Sequence, residues 1–96
     1  MNAARTAPGT LIREWRTRRR MSQLDLALEA EISQRHLSFM ESGRASPSRE
    51  MVLRLAEHLA VPLRQRNHLL MAAGFAPSYG ERDLADPRLK PALAAV

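Results

Sequence analysis

The sequence predicts an all-α domain of five short helices. Apolar residues recur at spacings of three and four, most clearly at Met51, Val52, Leu55 and Leu59; this is the period of a helix with one buried face. Serine, proline and glycine interrupt the chain at short intervals, and no segment shows the alternation of a β-strand. A chain of 96 residues has room for one small core.

The first two helices follow from an apolar stripe and a capping pattern. Leu11, Ile12 and Trp15 form the stripe of helix 1, which we place over roughly residues 10–20. Ser22, followed three residues later by Asp25, forms a capping-box pattern. Helix 2 is therefore predicted to begin after Ser22 and to end near residue 30.

Serine caps, glycine and proline delimit the other three helices. Ser33 is the N-cap candidate of helix 3, and Gly43 is the residue expected just after its end. Ser48 caps helix 4, and Pro62 suits the first position of helix 5, which closes at Gly74. The predicted domain covers residues 8–76.

The segment after residue 76 has a different character. Turn-forming residues and prolines interrupt it, and residues 92–96 make a single apolar turn that cannot hold itself together in water. Either this segment packs against another part of the protein or a partner, or the chain is the N-terminal part of a longer protein.

The charge of the chain indicates a polyanionic partner without locating its binding surface. Fifteen basic and ten acidic residues give a net charge of +5, which favours nucleic acid. The excess lies in residues 1–20, whereas residues 21–48 carry a net charge of −2. The binding surface must therefore be sought in the arrangement of residues.

Several classes of protein are excluded by composition. The chain has no cysteine, and its three histidines are 22 and 10 residues apart, so we expect no metal site and no cofactor. No apolar run approaches the length of a membrane span, and no signal peptide is visible. No Ser/His/Asp set, phosphate loop or acidic pair has a useful spacing, so an enzyme is not expected.

Helices 2 and 3, joined by about three residues, have the layout of a helix-turn-helix. The segments MSQLDLA at 21–27, IS at 32–33, LSFMESGR at 37–44 and PS at 47–48 resemble the lambda-repressor/Cro (XRE-type) DNA-binding family. The resemblance covers roughly residues 10–73. It implies a sequence-specific transcriptional regulator, a repressor for instance, that binds a pseudo-palindromic operator in double-stranded DNA as a homodimer, in the cytoplasm and associated with the nucleoid.

Three further segments, RHLSF at 35–39, PSREMVLRLA at 47–56 and AGFAP at 73–77, resemble the MmyB-like regulators. Members of that subgroup continue into a C-terminal ligand-binding domain. The resemblance implies that residues 77–96 are a linker and the start of such a domain, absent here. A small ligand would then act only through that domain.

In helix 3, from Ser33 to Ser42, the apolar residues Leu37 and Met40 point inward, which leaves Gln34, Arg35, Ser38 and Phe39 on the opposite face. The resemblance implies that this face reads the major groove. Arg35 could pair with guanine and Gln34 with adenine. Phe39 has two alternatives: it contacts a thymine methyl, or it is partly buried.

Contacts to the DNA backbone are implied for three residues outside that face. Gln23 lies in the first turn of helix 2, Ser33 at the start of helix 3, and Arg44 in the loop after it. Arg16 and Glu41 match two positions that the family uses for an ion pair, so we expect both to be structural. Trp15 is expected in the core.

Two features leave open alternatives. The run Arg18–Arg20 could be a solvated helix end, a phosphate-contacting edge or a membrane-surface patch. Glu31 occupies the place in the turn where the family commonly has glycine, so a left-handed backbone there would cost on the order of 1 kcal/mol. Glu31 also places a negative charge near the expected DNA side.

A function of another class competes with DNA binding. The same fold can serve as a protein-interaction module, an antitoxin or an adaptor, with Phe39 as the hydrophobic anchor. In that case substitution of Phe39 abolishes partner capture, and DNA affinity is negligible throughout.

Overall fold

The computed structural model describes residues 6–80. These residues form five α-helices and no strand, as predicted. The helices are α1 (Pro8–Arg18), α2 (Gln23–Ala30), α3 (Gln34–Ser42), α4 (Arg49–His58) and α5 (Leu63–Ala72). The segment from residue 81 onward, on which most of the predicted linker and the apolar turn at 92–96 fall, lies outside the described residues.

Three of the helices begin at the predicted serine caps. The hydroxyl oxygen of Ser22 accepts a hydrogen bond from the Asp25 N–H, and the Asp25 carboxylate accepts one from the Ser22 N–H. Ser33 and Ser48 cap α3 and α4 through the backbone N–H three residues on. These side chains satisfy N–H groups that have no partner within their helix.

The boundaries of α1 and α5 differ from the prediction by one or two residues. The first helix begins at Pro8 rather than near residue 10, because proline fits the first helical position, where its missing N–H is not needed. Pro62 has an extended ψ of 150°, so it occupies the N-cap position and not the first helical position, and α5 begins at Leu63. The fifth helix ends at Ala72, two residues before Gly74.

Left-handed backbone closes several of the connections. Gly43 and Gly74 have φ of 86° and 89°, as their predicted positions after helices require. Glu31 has φ of 58°, so the turn between α2 and α3 keeps the left-handed geometry although it lacks glycine. Arg20 and Ala60 share this geometry. Each such non-glycine residue costs on the order of 1 kcal/mol.

The core is a single apolar cluster to which all five helices contribute. Leu37 and Met40 of α3 are fully buried in it, so the inner face of α3 is the one predicted. Trp15 is half-buried and packs against the edge of this cluster. The buried apolar residues are Ile12, Leu26, Ala27, Ala30, Leu37, Met40, Val52, Leu55, Ala56, Leu59, Val61, Leu69 and Leu70.

A glycine sets the distance between α1 and α3. A Cβ atom at Gly9 would overlap the backbone carbonyl oxygen of Met40 and lie 2.7 Å from that of Glu41. Only a residue without a side chain allows the two helices to approach this closely. The position of α3 on the scaffold is therefore fixed partly by Gly9.

The longest of the described helices, α1, has 11 residues. None of the five is long and apolar enough to cross a membrane.

Candidate nucleic-acid interface

A tight turn of three residues joins α2 to α3. The N–H groups of Glu31 and Ile32 donate to the Leu28 and Ala27 carbonyls, which closes α2, and Ser33 then opens α3. Because Leu37 and Met40 anchor α3 to the core, its other face is turned outward. The structure thus confirms the helix-turn-helix layout.

The outward face of α3 carries the four residues predicted from their spacing. Gln34 and Arg35 are exposed, whereas Ser38 and Phe39 are half-buried. Phe39 is thus partly buried, and the contact of its exposed part with a thymine methyl stays a prediction. The polar side chains at the first turn of α3 are the most accessible part of this face.

Phe39 lies in contact with two arginines. The Arg35 guanidinium carbon is 5.3 Å from the centre of the Phe39 ring, and that of Arg44 is 5.5 Å from the same centre. Both distances are within the range of a cation–π interaction. Arg44 follows the end of α3, so the ring brings a loop cation beside the helix face.

A buried carboxylate behind this surface holds α3 to α1. Arg16 donates to both oxygens of Glu41, from Nε to Oε2 at 2.7 Å and from Nη2 to Oε1 at 2.9 Å. A third Arg16 donor reaches the Met21 carbonyl oxygen at 2.9 Å. Among residues 6–80, Glu41 is the one buried charged residue. The predicted structural pair is confirmed.

The pKa values of both partners are shifted by this contact. Burial alone would raise the pKa of Glu41, but the hydrogen bonds from Arg16 and Gln23 and the positive charge of Arg16 outweigh it. With a further contribution from Arg13, they hold this pKa below its usual value. The hydrogen bond to Glu41 raises the pKa of Arg16. Both groups are therefore charged at neutral pH.

The profile of the HTH_3 helix-turn-helix family matches residues 12–65, more than half of the chain. The chain belongs to the XRE-type helix-turn-helix family. The matched residues run from α1 into α5 and include the whole of α2, α3 and α4. This family is one of DNA-binding domains and not of enzymes. No match was found among curated proteins or among solved structures.

In this helix-turn-helix domain, Gln23 has a contact that sequence reasoning missed. Its side-chain N–H donates to Glu41 Oε1 at 3.1 Å, and the residue is half-buried. A primary amide has two N–H donors, so the predicted phosphate contact requires the second one. The hydroxyl of Ser33 likewise accepts from the His36 N–H and keeps its own proton as a donor.

The three arginines of the run Arg18–Arg20 differ in their contacts. Arg19 donates from Nε to the Leu59 carbonyl oxygen and from Nη2 to that of Ala60, both at 2.8 Å. It thereby caps the carboxyl end of α4, a role that none of the three sequence alternatives included. The Arg18 guanidinium lies over the Trp15 ring at 4.4 Å, and Arg20 takes the left-handed conformation after α1.

Proposed function

We propose that this protein is a sequence-specific regulator of transcription whose helix α3 enters the major groove of double-stranded DNA. The observation that carries the proposal is the arrangement of α3 within a helix-turn-helix domain. Leu37 and Met40 fix the helix to the core, and Gln34 and Arg35 project from its first turn. Helix-turn-helix domains read base edges with the first turn of the second helix of the motif, which is α3 in this protein.

Arg35 and Gln34 are the proposed base readers. A guanidinium can donate two parallel hydrogen bonds to O6 and N7 of guanine, and a primary amide can pair with N6 and N7 of adenine. Each such pair discriminates against the wrong base by about 1–3 kcal/mol. Ser38 lies one turn further along and can donate to or accept from a base edge. The exposed part of Phe39 can contact a thymine methyl.

Gln23, Ser33 and Arg44 are the proposed contacts to the sugar-phosphate backbone. Ser33 and Arg44 lie at the two ends of α3, and Gln23 contacts Glu41 of the same helix. All three carry N–H or O–H donors, which bind phosphate oxygens without regard to sequence. Such contacts fix the register of the protein on the duplex, and they make affinity fall with salt.

The dimer, the operator and the repression rest on the lambda-repressor/Cro (XRE-type) resemblance, and the ligand-binding domain rests on the MmyB-like resemblance. We propose a homodimer on a pseudo-palindromic operator with half-sites about 34 Å apart, and repression as its effect on transcription at the nucleoid. Residues 8–76 form the DNA-binding domain, and residues 77–96 lead toward a ligand-binding domain. A small effector would act through that domain only.

Selection from a randomised duplex library, followed by anisotropy titration of the selected duplex, tests specific binding. The selected duplex should bind far more tightly than its scrambled sequence. Affinity should also fall steeply between about 50 mM and about 200 mM salt, because each phosphate contact releases counterions. Equal affinity for both duplexes would exclude sequence-specific recognition.

Two arginine substitutions separate the proposed roles. Arg35→Ala should relax the preference at one base pair by about 1–3 kcal/mol, whereas Arg44→Ala should weaken all sequences alike and reduce the salt dependence by one phosphate contact. Arg64→Ala is the matched control, since it removes the same charge from α5, which packs on α1 and α4. An Arg64→Ala effect as large as that of Arg35→Ala would indicate a general charge effect.

Exposed leucines on α2 favour the second candidate function, a protein-interaction module. Leu24 and Leu28 lie one turn apart and are 50% and 68% exposed. They are better placed than the half-buried Phe39 to anchor a partner. If this is the function, Leu28→Lys abolishes capture of the partner while no duplex binds specifically. If DNA binding is the function, the same variant retains the affinity of the selected duplex.

A further inference from the structure

Phe39 is held in place by its backbone as well as by its ring. Its carbonyl oxygen accepts hydrogen bonds from the N–H groups of Arg44 and Ala45, at 2.8 and 3.1 Å. The Ser42 hydroxyl donates to the same oxygen at 3.3 Å. The last turn of α3 and the loop after it therefore converge on one carbonyl group.

The loop can return to this carbonyl because of Gly43. Its φ of 86° turns the chain back over the end of α3, and the Gly43 N–H donates to the Met40 carbonyl oxygen. Together with the Arg44 N–H bond, this forms the double closure of a Schellman motif. The backbone of Arg44 is thus fixed relative to that of Phe39.

The Phe39 ring then orients the side chains of two arginines that come from different segments. Arg35 lies one helical turn before Phe39 and Arg44 five residues after it, yet both guanidiniums are within 5.5 Å of the ring centre. Within residues 6–80 the structure shows no carboxylate paired with Arg35 or Arg44. The ring is therefore their shared side-chain contact in the described part of the chain.

A flexible arginine loses conformational freedom when it binds DNA. Ordering one long side chain at an interface opposes binding by about 0.5–1.5 kcal/mol, a factor of roughly 2 to 12 in affinity. A side chain that already lies against a ring in the free protein has lost part of that freedom. The π-face of the ring attracts cations, so it also offsets part of the repulsion between two guanidiniums that contact the same ring.

We propose that Phe39 is a positioning residue that holds Arg35 and Arg44 in their binding arrangement, and that this is its main contribution to DNA recognition. The proposal rests on the DNA-binding function argued above. It assigns one aromatic side chain the task of coupling a base-reading arginine to a phosphate-contacting arginine. Contact with a thymine methyl becomes a secondary role.

The test compares Phe39→Leu, which keeps an apolar side chain, with Phe39→Tyr, which keeps the ring. In the free protein, NMR signals of the Arg35 and Arg44 side-chain protons should show ring-current shifts in the native chain and in Phe39→Tyr. These shifts should disappear in Phe39→Leu while the backbone carbon shifts of α3 remain those of a helix. Anisotropy with the selected duplex should then show a loss of affinity on the order of tenfold for Phe39→Leu.

A double-mutant cycle identifies the route of the effect. If Phe39 acts through Arg44, Phe39→Leu should cost clearly less in an Arg44→Ala background than in the native chain, and the same holds for Arg35. Additive effects would show that Phe39 acts independently of both arginines, and a changed preference at a base pair other than the one that Arg35 reads would show that the ring contacts DNA directly; either result would overturn the proposal.

The outcome also separates this proposal from the function on which it rests. If the native chain distinguishes no duplex from its scrambled sequence, the DNA-binding function fails, and the positioning role fails with it. If the native chain binds specifically but the ring-current shifts are absent or the cycle is additive, the positioning role alone is wrong.

Discussion

The arginines of the scaffold and those on α3 and in the loop after it have different partners, although they belong to the same basic chain. The scaffold arginines Arg16, Arg19 and Arg54 donate into the protein: Arg16 to Glu41, Arg19 to the carboxyl end of α4, and Arg54 to the Ala30 carbonyl at the end of α2. The surface arginines Arg35 and Arg44 lie against the Phe39 ring instead.

This difference shows why the density of positive charge along the sequence does not locate the DNA-binding surface. Residues 1–20 have the largest excess of positive charge, but Arg16 and Arg19 within them donate hydrogen bonds to other parts of the protein. The proposed DNA-binding surface lies in residues 21–48, whose net charge is −2. A guanidinium already hydrogen-bonded to carbonyl or carboxylate oxygens has fewer donors for phosphate.

The largest expected effect comes from breaking the buried pair of the scaffold. Glu41→Ala leaves Arg16 with an uncompensated, largely buried charge, so the free energy of unfolding should fall by about 3–5 kcal/mol. Arg35→Ala, at an exposed position, should change it by no more than about 0.5 kcal/mol. Urea unfolding of both variants measures the difference. Similar losses in the two variants would abolish the distinction between scaffold and surface arginines.

Acidification should remove part of the same stabilisation. The pKa of Glu41 is lowered in the folded protein from its usual value of about 4.5. A group with a lowered folded pKa stabilises the fold above its unfolded pKa, and this contribution is lost as the pH falls through the folded pKa. The unfolding free energy should therefore decrease below about pH 4.5, and Glu41→Gln should make the decrease shallower.

Asp25 provides the control for this titration. Its pKa is lowered as well, by the hydrogen bonds from the backbone and side chain of Ser22, and the residue is exposed. Asp25→Asn removes that contribution and leaves the buried pair intact. If Asp25→Asn flattens the acid dependence and Glu41→Gln does not, the pair is not its main source.

A smaller effect is expected at the cap of α4. Arg19→Ala removes two hydrogen bonds from a charged group to carbonyls at the end of a helix, so the unfolding free energy should fall by about 1 kcal/mol. Affinity for the selected duplex should stay within a factor of two or so. Arg44→Ala should show the reverse, with stability unchanged and affinity reduced. Urea unfolding and anisotropy titration of Arg19→Ala and Arg44→Ala measure both quantities.

Local signals in the sequence were sufficient to predict most of the fold. Ser22, Ser33 and Ser48 act within one turn of their helices, and the apolar period of α3 correctly assigned Leu37 and Met40 to its buried face. The turn at Glu31 did not follow in this way: the sequence left its geometry open, and the structure shows a left-handed backbone with φ of 58°.

Contacts between distant segments were not predictable in the same way. The bonds from Arg19 to α4 span about 40 residues, and the contact of Gln23 with Glu41 depends on how α2 and α3 cross. Gly9 did offer a local signal, since glycine within a helix is unfavourable and its presence there indicates close packing. The placement of Arg44 on the Phe39 ring depends on the loop conformation, which the side-chain period of α3 does not contain.

The central claim is that the outward face of α3, with the loop after it, contacts DNA. The most direct measurement is NMR of the isotopically labelled chain during titration with the selected duplex, following backbone amides and arginine side chains. If α3 binds DNA as proposed, the signals of Gln34, Arg35, Ser38 and Arg44 should move most, while those of the exposed Met71 on α5 should stay. Movement concentrated on α5, with α3 unaffected, would contradict it.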